Sequence, residues 1–124
     1  MRLAKYIIDK NGVLIYPLTQ LKLNNNTKSN IANNQITLVF YNGIVTNPDN
    51  TISGTGVVTT GQTGTVTIQA RGDIDAVWSN IEGSPLNIAT NNMLYPAGVI
   101  ESLNITCTGV AGCNYIGIIL EGNV

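Results

Sequence analysis

The sequence has 124 residues, which is the size of one domain, and it contains no histidine. Charged residues make up 10% of the chain and the net charge is −1, which excludes the basic surface of a nucleic-acid-binding protein. The lack of histidine excludes Ser-His-Asp and Cys-His catalysis. The chain has no signal-peptide pattern, and no apolar run approaches the roughly 20 residues of a membrane helix.

The chain begins with two apolar stretches that predict a β-hairpin. Residues 3–8 and 13–16 flank Asn11-Gly12, a dipeptide typical of tight hairpin turns. Residues 24–34 are rich in Asn, Ser, Thr and Lys and predict a loop. We therefore predict one β domain over residues 1–124, in which an N-terminal arm and loop (1–34) precede a body (35–124).

The body consists of short stretches typical of β-strands. Residues 65–70 alternate between apolar and polar side chains, which indicates a strand with one buried face. Turn signals recur at intervals of roughly 8–12 residues and favour an all-β antiparallel sandwich or a barrel-like, jelly-roll-like fold. The other predicted strands of the body cover residues 35–41, 44–46, 52–60, 76–81, 86–89, 98–108 and 115–120.

Two cysteines flank a glycine-containing loop near the end of the chain. We expect residues on either side of this loop to pair as a hairpin, with Ile105 opposite Ile116, because that register gives one coherent apolar face. The same register places Cys107 and Cys113 on opposite faces. We therefore expect two free thiols, and a disulfide across the hairpin is the alternative.

Few residues suggest reaction chemistry. Most of the seven carboxylates fall in turns, and no spacing indicates a catalytic pair. Asp73 and Asp75 resemble part of a calcium loop but lack further oxygen ligands nearby. Arg71-Gly72-Asp73 spells the tripeptide that integrins recognise, yet it is also ordinary turn composition. We predict no enzyme activity, no metal and no cofactor.

The single tryptophan, Trp78, is expected to be a core aromatic. Its alternative role is a sugar-stacking platform, which would need a second aromatic side chain. Tyr41 and Tyr95 are the candidates for that second position.

The last predicted strand is apolar on both faces. One face carries Ile116, Ile118 and Leu120, and the other carries Tyr115 and Ile119. Because one sandwich core covers only one face of a strand, we expect Tyr115 and Ile119 to form an interface in a homo-oligomer.

Two stretches of the second half of the chain suggest a family. Residues 64–72, Gly-Thr-Val-Thr-Ile-Gln-Ala-Arg-Gly, are followed by a segment that bears Trp78. Residues 95–120 contain a Tyr-Pro-Ala-Gly turn, a strand, a Thr-Gly-Val-Ala-Gly loop and a terminal strand. From residue 61 onward the chain resembles small β-rich virion proteins of tailed bacteriophages, namely capsid decoration (cement) and minor head proteins.

This resemblance implies a non-enzymatic structural protein that binds and stabilises the phage head. The protein would bind the major capsid protein and would form a homotrimer. It would be made in the host cytoplasm and would be located on the capsid surface. No nucleic acid or membrane partner is expected. Two alternatives remain: a carbohydrate- or receptor-binding module of a tail, fibre or baseplate, and a tail or baseplate structural protein. In decoration proteins an N-terminal arm often contacts the capsid, and here the arm would present Leu3, Tyr6, Ile8, Val13, Ile15 and Tyr16.

Overall fold

The computed structural model describes residues 2–12, 14–15, 34–49, 52–73, 75–96, 98 and 100–122. All regular elements within these residues are β-strands, and two antiparallel sheets pack together as an open sandwich, which confirms the predicted fold class. No helix in the described part of the chain is long and apolar enough to cross a membrane. In chain order the strands are β1 (Arg2–Asp9), β2 (Leu14–Ile15), β3 (Gln35–Asn42), β4 (Val45–Thr46), β5 (Ile52–Ser53), β6 (Val57–Val58), β7 (Thr63–Arg71), β8 (Ser79–Asn80), β9 (Leu86–Asn87), β10 (Met93–Leu94), β11 (Ser102–Ala111) and β12 (Tyr115–Gly122).

The two sheets differ in size. The larger sheet has six strands in the order β10-β3-β12-β1-β2, and β6 also pairs with β3. The smaller sheet has four strands in the order β11-β7-β8, and β9 also pairs with β7. Strands β4 and β5 form a separate two-stranded ribbon, so β4 does not pair with β3 although Asn42-Gly43 between them is typical of a hairpin turn.

The core lies between the sheets and follows the alternation of the sequence. On β7, Val66 and Ile68 are fully buried and Ala70 is 8% exposed, as the pattern predicts. Burying branched apolar side chains such as these contributes about 1.5–3 kcal/mol each to folding. The same cluster contains Ile36, Leu38 and Phe40 of β3, Ile116, Ile118 and Leu120 of β12, and Ile8 of β1.

The N-terminal hairpin is present, but it is not an arm. β1 pairs with β2 through Ile7↔Ile15 and Ile8↔Leu14, as predicted. However, β1 also pairs with β12 along its whole length, from Arg2↔Gly122 to Asp9↔Tyr115. The division into an arm before residue 35 and a body after it is therefore wrong for β1, because the apolar side chains of this strand help to form the core. The predicted loop at residues 24–34 lies outside the described residues, except for Asn34.

The predicted hairpin between the last two strands is wrong. β11 pairs with β7 in the smaller sheet, and β12 pairs with β1 and β3 in the larger one, so the chain crosses from one sheet to the other. Ile105 lies opposite Ile68 rather than Ile116. The apolar pattern of β11 is compatible with pairing to β7 and with pairing to β12. The pattern alone therefore does not predict which of the two strands is the partner.

Candidate functional site

Of the residues predicted for a capsid-contacting arm, the structure describes the side chains of Tyr6 and Ile8. Ile8 is 1% exposed within the core, and Tyr6 is partly buried against it. Leu3 and Ile15 belong to β1 and β2, where the structure describes the backbone. Val13 and Tyr16 lie outside the described residues. Ile8 is thus unavailable for contact with another protein unless the fold opens.

The predicted oligomer interface is buried within one chain. Tyr115 and Ile119 lie on the outer face of the larger sheet, opposite to the sandwich core, as the alternation predicts. They are nevertheless only 7% and 5% exposed, and they form a second cluster with Ile7, Val39 and Tyr41. An oligomer was expected because the second face of β12 would otherwise be uncovered. Since Tyr115 and Ile119 are already buried within one chain, they no longer support that expectation.

The second buried face also contains polar groups that the sequence analysis missed. Glu121 is 2% exposed, and its Oε2 atom has no hydrogen-bond partner among the described residues. Gln35 lies opposite it, and the Gln35 Nε2 atom donates to the Thr37 hydroxyl at 3.4 Å. The sequence does indicate that Glu121 lies on this face, because Glu121 follows Ile119 by two residues and alternate residues of a strand share a face.

The two cysteines are both free thiols, although they do not face each other across a hairpin. Burial, with smaller effects of Asp9 and Cys113, raises the pKa of Cys107 to about 11. Burial also raises the pKa of Cys113, against an opposing effect of Lys10. Since the thiolate is the reactive form, both side chains are poor nucleophiles at neutral pH.

The most regular exposed feature is the outer face of the smaller sheet. Across β7 and β11, Thr65 pairs with Thr108, Thr67 with Thr106, and Gln69 with Asn104. Gln69 is held from both sides in this arrangement. Its Oε1 accepts a hydrogen bond from Asn104 Nδ2 at 3.1 Å, and its Nε2 donates to Asn80 Oδ1 at 3.2 Å. We call this uncharged surface the polar face, and it consists of Thr65, Thr67, Gln69, Asn80, Asn104, Thr106 and Thr108.

Arg71 lies at one end of the polar face and is held by two contacts. Its guanidinium carbon is 4.3 Å from the centre of the Trp78 ring, a cation–π contact. Its Nε atom donates to the Ser102 hydroxyl at 3.0 Å, and that hydroxyl donates to the carboxylate of Glu101. Trp78 is only partly buried and belongs to neither buried cluster, so the prediction of a core aromatic is wrong.

The Arg71-Gly72-Asp73 stretch is an ordinary turn with a restrained arginine. Asp73 Oδ1 accepts a hydrogen bond from the backbone N–H of Asp75 at 3.1 Å, which is the local bond expected of an aspartate in a turn. The guanidinium packs on Trp78 rather than extending beside Asp73. No group of three or more His, Cys, Asp or Glu that could hold a metal ion occurs among the described residues.

A cavity of about 440 Å³ adjoins this end of the polar face. Its polar lining includes Arg71, Ser79, Asn80 and Glu82, and Val77 and Pro96 are among its apolar lining residues. We call it the Arg71 cavity.

A second cavity, of about 330 Å³, lies between β1 and β11. Tyr6, Ile8, Leu103 and Ile105 are among the residues that line it. It has no charged lining residue among those described, so it offers no group that would select a ligand by charge.

Of the two candidates for a sugar-stacking platform with Trp78, only Tyr95 is exposed. Tyr41 is 1% exposed on the outer face of the larger sheet and is therefore inaccessible. Tyr95 is 53% exposed, and its hydroxyl donates to the sulfur of Met93 at 3.5 Å. The alternative in which Tyr41 and Trp78 together form an exposed sugar-stacking platform is therefore wrong.

No protein-family model, curated protein sequence or solved structure matches the chain.

Proposed function

We propose that this chain is a non-enzymatic structural protein of a tailed-phage virion, and that it binds the major capsid protein through the polar face. The observation that most supports this proposal is the polar face, where the paired strands β7 and β11 carry uncharged hydroxyl and amide side chains. Such groups form direct or water-bridged hydrogen bonds across an interface without the desolvation cost of charged groups. The resemblance of residues 61–120 to decoration proteins supports the choice of partner.

The order within the polar face favours binding. The row Asn80, Gln69 and Asn104 is joined by hydrogen bonds of 3.2 and 3.1 Å, so these side chains already have one arrangement before a partner arrives. A pre-ordered surface loses less side-chain entropy on association than a mobile one. The low charge content, 10% of the chain, agrees with a protein that packs among other subunits.

The contact is assigned to the sheet rather than to the N-terminal hairpin because β1 is paired on both sides. Burial of Ile7 and Ile8 at 0% and 1% exposure leaves the apolar part of β1 within the protein. The homotrimer now rests on the resemblance alone, because Tyr115 and Ile119 are covered within one chain.

The proposal is tested first by location and copy number. Quantitative mass spectrometry of purified virions from the phage that carries the gene is expected to find hundreds of copies per particle. A chain missing from the particles, or present at only a few copies, would contradict the decoration role. Light scattering of the purified protein tests the trimer.

The binding surface is tested with a matched pair of substitutions. Thr106→Arg places a long charged side chain in the centre of the polar face, whereas Thr60→Arg places it at an exposed position outside both sheets. The first variant is expected to lose co-sedimentation with capsids that lack the protein, and the second is expected to keep it. Full occupancy by the Thr106→Arg variant would show that the polar face is not the contact.

A further inference from the structure

We propose that the Arg71 cavity binds a neutral saccharide. This inference does not require the capsid role, although the cavity shares Asn80 with the polar face. It depends on the polar groups that converge there, on the apolar side of the cavity and on the surrounding charges.

The guanidinium of Arg71 is fixed but not saturated. Trp78 lies against it at 4.3 Å and Ser102 accepts the Nε–H at 3.0 Å, which together restrict the side chain. The structure gives the two terminal amino groups no hydrogen bond or ion pair with any described residue. A guanidinium held in this way presents donors in a fixed plane, which favours a ligand that accepts hydrogen bonds.

Asn80 and Glu82 complete a mixed set of donors and acceptors. The Asn80 Oδ1 atom accepts from Gln69, which fixes the amide and leaves its N–H groups for a ligand. Glu82 is exposed and lines the same cavity with a carboxylate, which only accepts while it is ionised. A sugar hydroxyl both donates and accepts, so it can bond to the arginine or asparagine N–H groups and to the carboxylate at once.

The apolar side of the cavity suits the carbon face of a sugar ring. Val77 is 87% exposed, the highest value among the large apolar side chains described, and Pro96 also lines the cavity. The volume of about 440 Å³ falls within the range of about 300–1,000 Å³ that is usual for small-ligand sites. A saccharide would cover Val77 and bond to the polar side at the same time.

The surrounding charges select against an ionic ligand. Among the described residues that line the cavity, Arg71 is the only cation and Glu82 is the only carboxylate. An anionic ligand would meet the Glu82 carboxylate, and a cationic ligand would meet the Arg71 guanidinium. A neutral saccharide avoids both repulsions.

The chain offers a matched pair of variants for the test. Asn80 and Asn104 each make one hydrogen bond to Gln69, at 3.2 and 3.1 Å, but only Asn80 lines the Arg71 cavity. Asn80→Ala and Asn104→Ala therefore each remove one hydrogen bond to Gln69, but only Asn80→Ala changes the lining of the cavity. Arg71→Met removes the donors and keeps much of the apolar stem.

The experiment is a calorimetric titration of the full chain with neutral gluco-, manno-, galacto- and xylo-oligosaccharides, and with oligogalacturonates as the anionic comparison. We expect a neutral oligosaccharide to bind. Arg71→Met is expected to weaken that binding by about 10-fold or more, since a hydrogen bond to a charged group contributes about 1.5–3 kcal/mol. Asn80→Ala is expected to weaken it by about 5-fold, and Asn104→Ala is expected to leave it within about 2-fold of the parent.

Three results would overturn the inference. They are no binding of any neutral oligosaccharide at millimolar concentration, equal effects of Asn80→Ala and Asn104→Ala, and tighter binding of oligogalacturonates than of every neutral ligand. An NMR titration of the unsubstituted chain provides a test that needs no variant. Amide shifts are expected at residues 71–72 and 76–82, and shifts confined to other residues would place the ligand elsewhere.

Discussion

Gly64 lies against the backbone of Val110, at the place where β11 loses its register with β7. A Cβ atom added to Gly64 would come within 2.7 Å of the Val110 Cα atom and of the Gly109 carbonyl oxygen. The φ angle of Gly64 is +119°, a value that side-chain-bearing residues rarely adopt. The register shift between Thr108 and Ala111 therefore depends on a glycine in the facing strand.

Gly64→Ala is expected to destabilise the protein by at least about 2 kcal/mol, because it combines backbone strain with a clash against main-chain atoms that have little room to move. Gly61→Ala is the matched control, since its added Cβ has nothing within 4 Å. The control is expected to change the free energy of unfolding by no more than about 0.5–1 kcal/mol. Urea denaturation measures both, and equal stability of the two variants would contradict the close packing at Val110.

The burial of Ile119 gives a second prediction, which tests whether this side chain is covered within one chain or lies in an oligomer interface. Ile119→Ala is expected to cost about 2–5 kcal/mol, similar to Ile118→Ala in the main core, because both substitutions leave a cavity. Val77→Ala, at a side chain that is 87% exposed, is expected to have little effect.

The unfolding midpoint of the parent chain is expected to stay constant over a roughly hundredfold range of protein concentration if Ile119 is covered within the protomer. A midpoint that rises with concentration, together with a small effect of Ile119→Ala in the dilute protein, would restore the interface at this residue.

Features that depend on neighbouring residues were predictable from the sequence. The turn at Asn11-Gly12 and the alternation of β7 each follow from a few consecutive residues, and the structure contains both. In each case the chain itself supplies the geometry, through a turn that tolerates positive φ or through side chains that alternate between two faces.

Features that depend on distant residues were not predictable. The apolar positions of β11 match β7 and β12 equally well, so periodicity alone did not reveal that the chain changes sheets after Ala111. The contact between Arg71 and Trp78 joins residues across a turn whose shape no motif specifies. The sequence did show that β12 is apolar on both faces, but it did not show that the second face is covered within one chain.

The raised pKa of Cys107 gives a third prediction, which concerns reactivity. In a Cys113→Ala variant, which removes the smaller effect of Cys113, burial still favours the neutral thiol of Cys107. Alkylation by iodoacetamide is expected to be slow at pH 8 and to accelerate only well above pH 9, the ordinary value for the thiol in the unfolded chain. A denatured sample is the control and is expected to react according to that ordinary value. Rapid labelling of the folded variant at pH 8 would show that the thiol is exposed.

The same shift fixes the direction of a pH effect on stability. Because the folded-state pKa of Cys107, about 11, exceeds the unfolded value of 9.0, the contribution is fully present below pH 9. It is lost as the pH rises from about 9 to about 11, since the unfolded chain releases its proton first. Cys107→Ser in the same background is expected to flatten this part of the stability profile.

The position of β1 between β12 and β2 gives the last prediction, which contrasts an integral strand with a detachable arm. Removal of residues 1–9 would delete β1 and leave one edge of β12 unpaired. It would also remove Ile7 and Ile8 from the two buried clusters. We expect the truncated chain to lose its cooperative unfolding transition, measured by circular dichroism in urea. Hydrogen exchange of the full chain provides the companion measurement: the amides of Tyr6, Ile7 and Ile8 are expected to exchange as slowly as those of β12, because both strands open only with the sheet. A truncated protein that still unfolds cooperatively, or fast exchange along β1 beside slow exchange along β12, would show that the hairpin is a separable arm after all.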